Sequence, residues 1–398
     1  MAKHSESFDR GKVEIVSIVS FLMGFSQAVV VYIISSYFKL ISGTENIGWF
    51  YIISYGIVLL VLLNFHKAVR KVGKSQVFLM AVLAKIMAIL LLIFLPPTPV
   101  SSVALILYLI FGGLEWAAID IILESFSKDE LSGRIRGIHW TVLNAGYMFG
   151  PLMAAQLLGQ HGFHGVFIFL LVVNAFILTL SLIGLRNVNH PYKQDLNVLD
   201  VIKKVGKRKN IMRIYYISFI LELFYAMMII YTPIYLQDLG YSWDKISIMF
   251  TVMLIPFVIL QYPTGVLADK WLGEKEMIIG SLFLMAVTSG VVYFLGTATV
   301  LVWAIVLFGT RIGAAALEVL RDSYFYKRID GYDVDMINFY KTAMAMGYIA
   351  AAALSSVLLI FFSTKSIFIA VVILTGSALY PAFQLRDNKS EREIALER

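Results

Sequence analysis

The chain has no cysteine, which excludes disulfides and thiolate metal sites. Charge is scarce too. Asp, Glu, Lys and Arg make up 15% of the 398 residues, against about 25% in an ordinary soluble domain. With 59% hydrophobic residues and a mean hydropathy of +0.80, the polar surface is too small to coat a water-soluble globule. The sequence also lacks a serine–histidine–acid set and a phosphate-cradling glycine loop with lysine. His139, His161 and His164 fall at helix ends or in outer links, without the company of other ligands. Neither an enzyme nor a metal or other cofactor is expected. The net charge of +7 sits in short links between apolar runs, so membrane lipid rather than nucleic acid is the expected partner.

What is abundant is long apolar runs. A bilayer core of roughly 30 Å needs about 20 apolar residues per helix. Twelve runs qualify, near 13–37, 47–65, 76–95, 102–125, 137–159, 165–186, 211–236, 246–268, 277–295, 299–325, 337–362 and 366–385. The first is too long for a cleaved leader and reads as a retained helix. Basic residues gather in alternate links: Lys67, Arg70, Lys71 and Lys74 after the second run, Lys128, Arg134 and Arg136 after the fourth, and six more between Lys193 and Lys209. Lys39, Lys245 and Lys365 are the exceptions. Positive charge marks the cytoplasmic side, so the expected architecture is an all-α membrane protein of twelve transmembrane helices with both termini cytoplasmic, in the inner membrane.

The expected organisation is two pseudo-symmetric six-helix bundles, 1–186 and 211–398, joined by a cytoplasmic linker at 187–210. In the linker Val198, Leu199, Ile202 and Val205 fall at helical spacing opposite lysines, which fits either a surface-lying amphipathic helix or a flexible connection. Duplication is suggested by Glu124-Ser125-Phe126 and Asp322-Ser323-Tyr324, an offset of 198 residues (124 to 322) at which Asp120 also matches Glu318 and Gly133 matches Gly331. Repeated halves suit alternating access about a central site.

The segment Gly265-Val266-Leu267-Ala268-Asp269-Lys270-Trp271-Leu272-Gly273 resembles the loop between helices 8 and 9 of the major facilitator superfamily. Its counterpart, Phe65 to Gly73, keeps Lys67, Arg70 and the last glycine but has Val69 where the family pattern has aspartate. Gly133-Arg134-Ile135-Arg136-Gly137 resembles the basic link after helix 4. The likeness covers nearly the whole chain. A softer one joins Gly146-Tyr147-Met148-Phe149-Gly150-Pro151 to the drug–proton antiporter branch, with Ala154 and Ala155 where that branch has a glycine pair. The resemblance implies a monomeric transporter whose helices 1, 4, 7 and 10 line a central cavity. Asp269, Lys270, Arg70, Glu124, Arg134 and Asp322 are expected at a cytoplasmic gate; the alternative for such charges is a static surface pair worth little.

Ionisable groups at bilayer depth cost about 2.5–3.5 kcal/mol each on insertion scales and mark function or pairing. There are six candidates: Lys85, Glu115, Asp120, Glu222, Arg311 and Glu318. Lys85 and Glu115 share a depth and are expected to form a buried structural pair. Arg311, Glu318 and Asp322 lie on one stripe at i, i+7 and i+11, as do Gly113, Ala117, Asp120 and Glu124. Glu222, Asp120 and Glu318 are the candidates for proton coupling, because a carboxyl in low dielectric can exchange its proton near neutral pH. Glu222 and Arg311 are expected in one water-reachable chamber, or else joined in a permanent bridge. Arg311, Tyr225, Trp116 and Gln27 are candidate substrate contacts, although tryptophan in a membrane helix often only packs. The expected function is proton-coupled export of a small amphipathic molecule. Alternatives are proton-coupled uptake of a small anionic or polar metabolite, and a non-transporting receptor or lipid-handling protein on the same scaffold.

Overall fold

The computed structural model describes residues 10–126, 132–185, 203, 205–329 and 334–386. Among these residues all regular structure is helical. The first half holds α1 (Arg10–Val31), α2 (Ile34–Ser42), α3 (Gly48–Val72), α4 (Lys74–Phe94), α5 (Ser101–Phe126) and α6 (Ser132–Gly184). The second holds α7 (Lys209–Asp238), α8 (Trp243–Ile259), α9 (Gln261–Leu267), a π-helical turn (Ala268–Leu272), α10 (Glu274–Phe294), α11 (Val300–Tyr326), α12 (Val334–Phe361), α13 (Ser366–Ser377) and α14 (Leu379–Phe383). Of the linker residues expected on one helical face, Val198, Leu199 and Ile202 lie outside the described residues, and Val205 is buried.

Eleven helical spans among the described residues are long and apolar enough to cross a bilayer. One of them, Thr141–Gly184, runs for 44 residues, twice what a single crossing requires. It belongs to α6, which turns at Gly162, where φ is 64° and ψ −166°. That backbone conformation costs glycine little and other residues much. The runs expected at 137–159 and 165–186 are thus two helices that meet at Gly162. The runs carrying Glu115 and Arg311 are unbroken helices.

The turn closing the family-like loop recurs. Gly73 has φ 93° and ψ 156°, and Gly273 has φ 74° and ψ 168°. Each is followed by a 21-residue helix, Lys74–Phe94 and Glu274–Phe294. In the second copy the preceding turn is π-helical, with the Gly273 N–H donating to the Ala268 carbonyl at 3.0 Å. Such π turns are uncommon and frequent at functional sites.

One apolar core joins the halves, taking Tyr37, Phe38 and Tyr51 from the first and Phe224, Met227, Phe250 and Trp303 from the second. A separate cluster, including Val16, Phe65, Val69, Phe78, Ile119, Ile122 and Ile177, is drawn from the first half alone. The halves therefore share a buried core toward the α2 end and not toward the Gly73 end.

Helix α1 crosses α6 at glycines. A β-carbon on Gly24 would sit 2.5 Å from the Leu143 carbonyl oxygen; one on Gly146 would strike the Phe21 carbonyl, and one on Gly150 the Ala28 main chain. Ala154 and Ala155 just beyond are buried. Small residues substitute close van der Waals contact for the hydrophobic drive that lipid cannot supply. Gly150→Ala is expected to destabilise the protein by about 1–3 kcal/mol through overpacking, read as a lower unfolding midpoint in detergent. Gly112→Ala, where a β-carbon meets nothing within 4 Å, should leave the midpoint unchanged or raise it. Equal losses at both positions would overturn the close crossing.

Candidate functional site

The second half places its charges between α7 and α11. Glu222 Oε1 accepts a charge-assisted bond from Arg321 Nη2 at 2.7 Å, with the two side chains 12% and 10% exposed. Arg321 Nη1 also donates to the Ser218 carbonyl at 3.3 Å. Tyr340 of α12 completes the cluster, accepting from Ser218 Oγ at 2.7 Å and donating to Asp322 at 3.0 Å. A β-carbon on Gly347 would sit 2.6 Å from Glu222 Cβ, so this glycine lets α12 lie against α7 at the level of the ion pair.

One turn along α11, Glu318 is bonded to an amide rather than a cation. Gln261, at the start of α9, donates from Nε2 to Glu318 Oε2 at 2.8 Å. Asn144 of α6 donates to Gln261 Oε1 at 3.0 Å. A polar chain thus runs from a carboxyl of the second half to a side chain of the first. Two ring contacts cross the same divide: Tyr55 stacks on Tyr348 at 4.3 Å, and Tyr32 meets Phe250 at 4.7 Å.

Arg311 is 2% exposed and its Nη1 is buried without a hydrogen-bond partner. It lies over Phe224 and Tyr225, 5.2 and 5.6 Å from the ring centroids. Tyr225 donates to the Ala314 carbonyl at 3.3 Å and lies in electrostatic reach of Glu222, Arg311, Glu318 and Arg321. The alternative of a permanent bridge between Glu222 and Arg311 is therefore corrected: Arg321 takes the carboxylate, and Arg311 has Tyr225 and Phe224 for company. Exposure rises along α11, from 2% at Arg311 to 30% at the Asp322 side chain.

In the first half, Lys85 Nζ meets Glu115 Oε2 at 2.5 Å, with the side chains 2% and 0% exposed. Tyr108 lies 5.6 Å from the ammonium. Trp116 is partly buried against the first-half apolar cluster, and Gln27 is half-buried on α1. Gly113 packs on Val58 of α3, so that part of its stripe is helix contact rather than chamber wall. The side chains of Asp120, Glu124, Arg70, Arg134, Asp269 and Lys270 lie outside the described residues.

The end where α2 meets α7 carries a seal that sequence reasoning missed. Lys39 donates to Asp238 at 2.9 Å and to Glu45 at 3.1 Å. Thr364 donates to Glu45 at 3.1 Å, and Gln237 to Ser36 at 2.7 Å. Asn46 reaches the Ser356 carbonyl at 3.3 Å, beside Gly48, where a β-carbon would sit 2.6 Å from the Ala352 oxygen. Lys39 had registered only as an exception in the charge pattern, which was the available signal. Arg321 had a signal as well, a second cation one turn beyond Glu318 in an apolar run; Asn144 and Gln261, being neutral, gave none.

The sequence profile described as Major Facilitator Superfamily matches residues 16–325 and 245–398. Among curated proteins, none matches the chain significantly.

Breaking a buried ion pair strands the remaining charge, at about 3–5 kcal/mol, whereas replacing both partners with apolar groups is often neutral. Lys85→Met and Glu115→Leu are each expected to lower the unfolding midpoint strongly, and the double variant to recover most of the loss. Additive losses, measured by thermal unfolding in detergent, would overturn a purely structural role for the pair.

Proposed function

The chain belongs to the major facilitator superfamily, a multi-pass membrane transporter family, and on that premise we propose that it exports a small amphipathic molecule in exchange for protons. The transporter is a monomer of twelve crossings in the inner membrane, with both termini and the 187–210 linker cytoplasmic. The turn at Gly162 supports this count, dividing α6 into two crossings. The alternating basic links support the orientation.

The observation that supports the reading is a cluster of buried charge: Arg311, the Glu222–Arg321 pair and Glu318 lie among aromatic rings on the side of the second half from which Gln261 reaches Asn144 of the first. The Lys39–Asp238–Glu45 seal and the undivided core belong to the outer end. The separate first-half cluster and the exposure of Asp322 belong to the cytoplasmic end. The conformation described is then the one open to the cytoplasm. In the opposite conformation the cytoplasmic gate closes through Asp269, Lys270, Arg70, Glu124, Arg134 and Asp322 while the Lys39 contacts part. The likeness of the Gly146–Pro151 segment to the drug–proton antiporter branch supports export over uptake.

Glu318 is the coupling carboxyl of choice. Glu222 is held by a guanidinium, whereas Glu318 accepts a bond from a neutral amide linked to the opposite half. Taking up or losing a proton there changes the chain of bonds that joins the halves. Asp120, its counterpart in the duplication, is a secondary acceptor.

The test uses proteoliposomes loaded at acid pH, with the membrane potential clamped by potassium and valinomycin. Permanently charged labelled probes, phenyltrimethylammonium and benzenesulfonate, are offered outside. Export by exchange predicts that a probe enters as protons leave. Glu318→Gln should abolish this gradient-driven entry and retain probe–probe counterflow. Entry only when protons move inward would establish uptake by symport instead. Normal accumulation by Glu318→Gln would remove it from coupling.

A further inference from the structure

Arg311 is a buried cation that no described acid pairs directly; Glu318, two turns along the same helix, is the described carboxylate in electrostatic reach of it. Among the described residues no carboxylate stands within ion-pair distance of it, and its Nη1 is buried without any acceptor. The described acids nearby have other partners: Glu222 with Arg321 at 2.7 Å, Asp322 with Tyr340 at 3.0 Å, and Glu318 with Gln261 at 2.8 Å. The rings of Phe224 and Tyr225 attract the guanidinium through their faces but carry no net charge. A charge kept at this depth without a directly paired acid marks a ligand path. A guanidinium fork suits a planar or tetrahedral oxyanion, which it can hold through two parallel bonds.

The surroundings define the rest of the ligand. Tyr225 lies near Phe257, with ring centroids 6.2 Å apart. Tyr32 and Tyr348 are the other phenols in electrostatic reach of Arg311, and Tyr348 is stacked on Tyr55 of the opposite half. The head-binding group thus belongs to the second half, and the apolar wall draws on both halves.

We infer that Arg311 is the head-group site for a small organic anion with a planar apolar body, which lies against the Tyr225–Phe257 and Tyr55–Tyr348 rings. This deepens the transport reading by naming the substrate class, and it rests on the chamber being the transported molecule's site. The bound anion joins the halves, its charge held by one and its body shared with the other.

The test is equilibrium dialysis of the full chain in lipid nanodiscs with labelled benzenesulfonate, competed by benzenesulfonamide, phenyltrimethylammonium and methanesulfonate. Benzenesulfonate is expected to bind at least ~10-fold more tightly than the uncharged sulfonamide, the scale of one charge-assisted bonding set. Methanesulfonate, which has the charge without the body, should also be at least ~10-fold weaker, the scale of a buried ring. Arg311→Gln should abolish the preference for the anion. Arg311→Lys, which keeps the charge and controls for folding, should retain the preference at lower affinity. Equal binding of the sulfonamide, stronger binding of the cation, undiminished preference in Arg311→Gln, or no binding of any probe would overturn the inference. The two readings fail separately in vesicles. Arg311-dependent binding of benzenesulfonate without passage would sink transport and leave the anion site standing, whereas passage of phenyltrimethylammonium alone would do the reverse.

Discussion

In hydrocarbon a charge must be answered from within the protein, because water cannot answer it. That constraint decides which parts of this molecule are held firmly together. The Glu222–Arg321 pair ties α7 to α11 inside the second half, and Lys85–Glu115 ties α4 to α5 inside the first. Buried contacts between the halves are of another kind: amide to amide at Asn144–Gln261, amide to hydroxyl at Gln237–Ser36, and ring on ring at Tyr55–Tyr348; the Lys39–Asp238 ion pair also crosses, but at 33% and 35% exposure, where a pair is worth little. Losing a buried ionic partner costs about 3–5 kcal/mol, while a neutral hydrogen bond contributes about 1 kcal/mol net. The strong bonds sit within each body and the exchangeable ones between bodies, which is the distribution that rigid-body rocking requires.

Close backbone approach completes the division. Gly347 against Glu222 and Gly313 against the Ser281 carbonyl draw second-half helices together around their charges. Gly24, Gly146 and Gly150 do the same between α1 and α6. Gly73 and Gly273, each at positive φ, start helices of equal length in the two halves. Between those rigid groupings lie the aromatic rings around Arg311, whose Nη1 finds no hydrogen-bond partner among the described residues.

The helical spans were legible because hydropathy reads solvent directly, and a helix of known rise needs a known length to cross a bilayer. The break at Gly162 was legible as a pause between apolar runs, where glycines, Gln160, His161 and His164 interrupt the hydropathy. Lys85 and Glu115 share a depth in the sequence and meet in the structure. The partner of Glu222 was not legible. Arg311 and Arg321 are both on α11 and both reach α7, at Phe224–Tyr225 and at Glu222; which of them meets Glu222 depends on how the two helices are set along each other by packing rather than on any spacing along one chain. Asn144 and Gln261 stayed invisible for a different reason: a neutral amide in an apolar run raises no electrostatic question until its partner is known.

The Lys39 network has a consequence of its own. Its members are 33%, 49% and 35% exposed at Lys39, Glu45 and Asp238, so dissolved ions can reach them. Mobile ions screen exposed charges over a Debye length of about 8 Å at physiological ionic strength and about 3 Å at 1 M. The buried pairs within each half are shielded from that influence. Salt in the surrounding medium therefore weakens the contact between the halves at Lys39 selectively, while the ion pairs that give each half its internal form keep their strength.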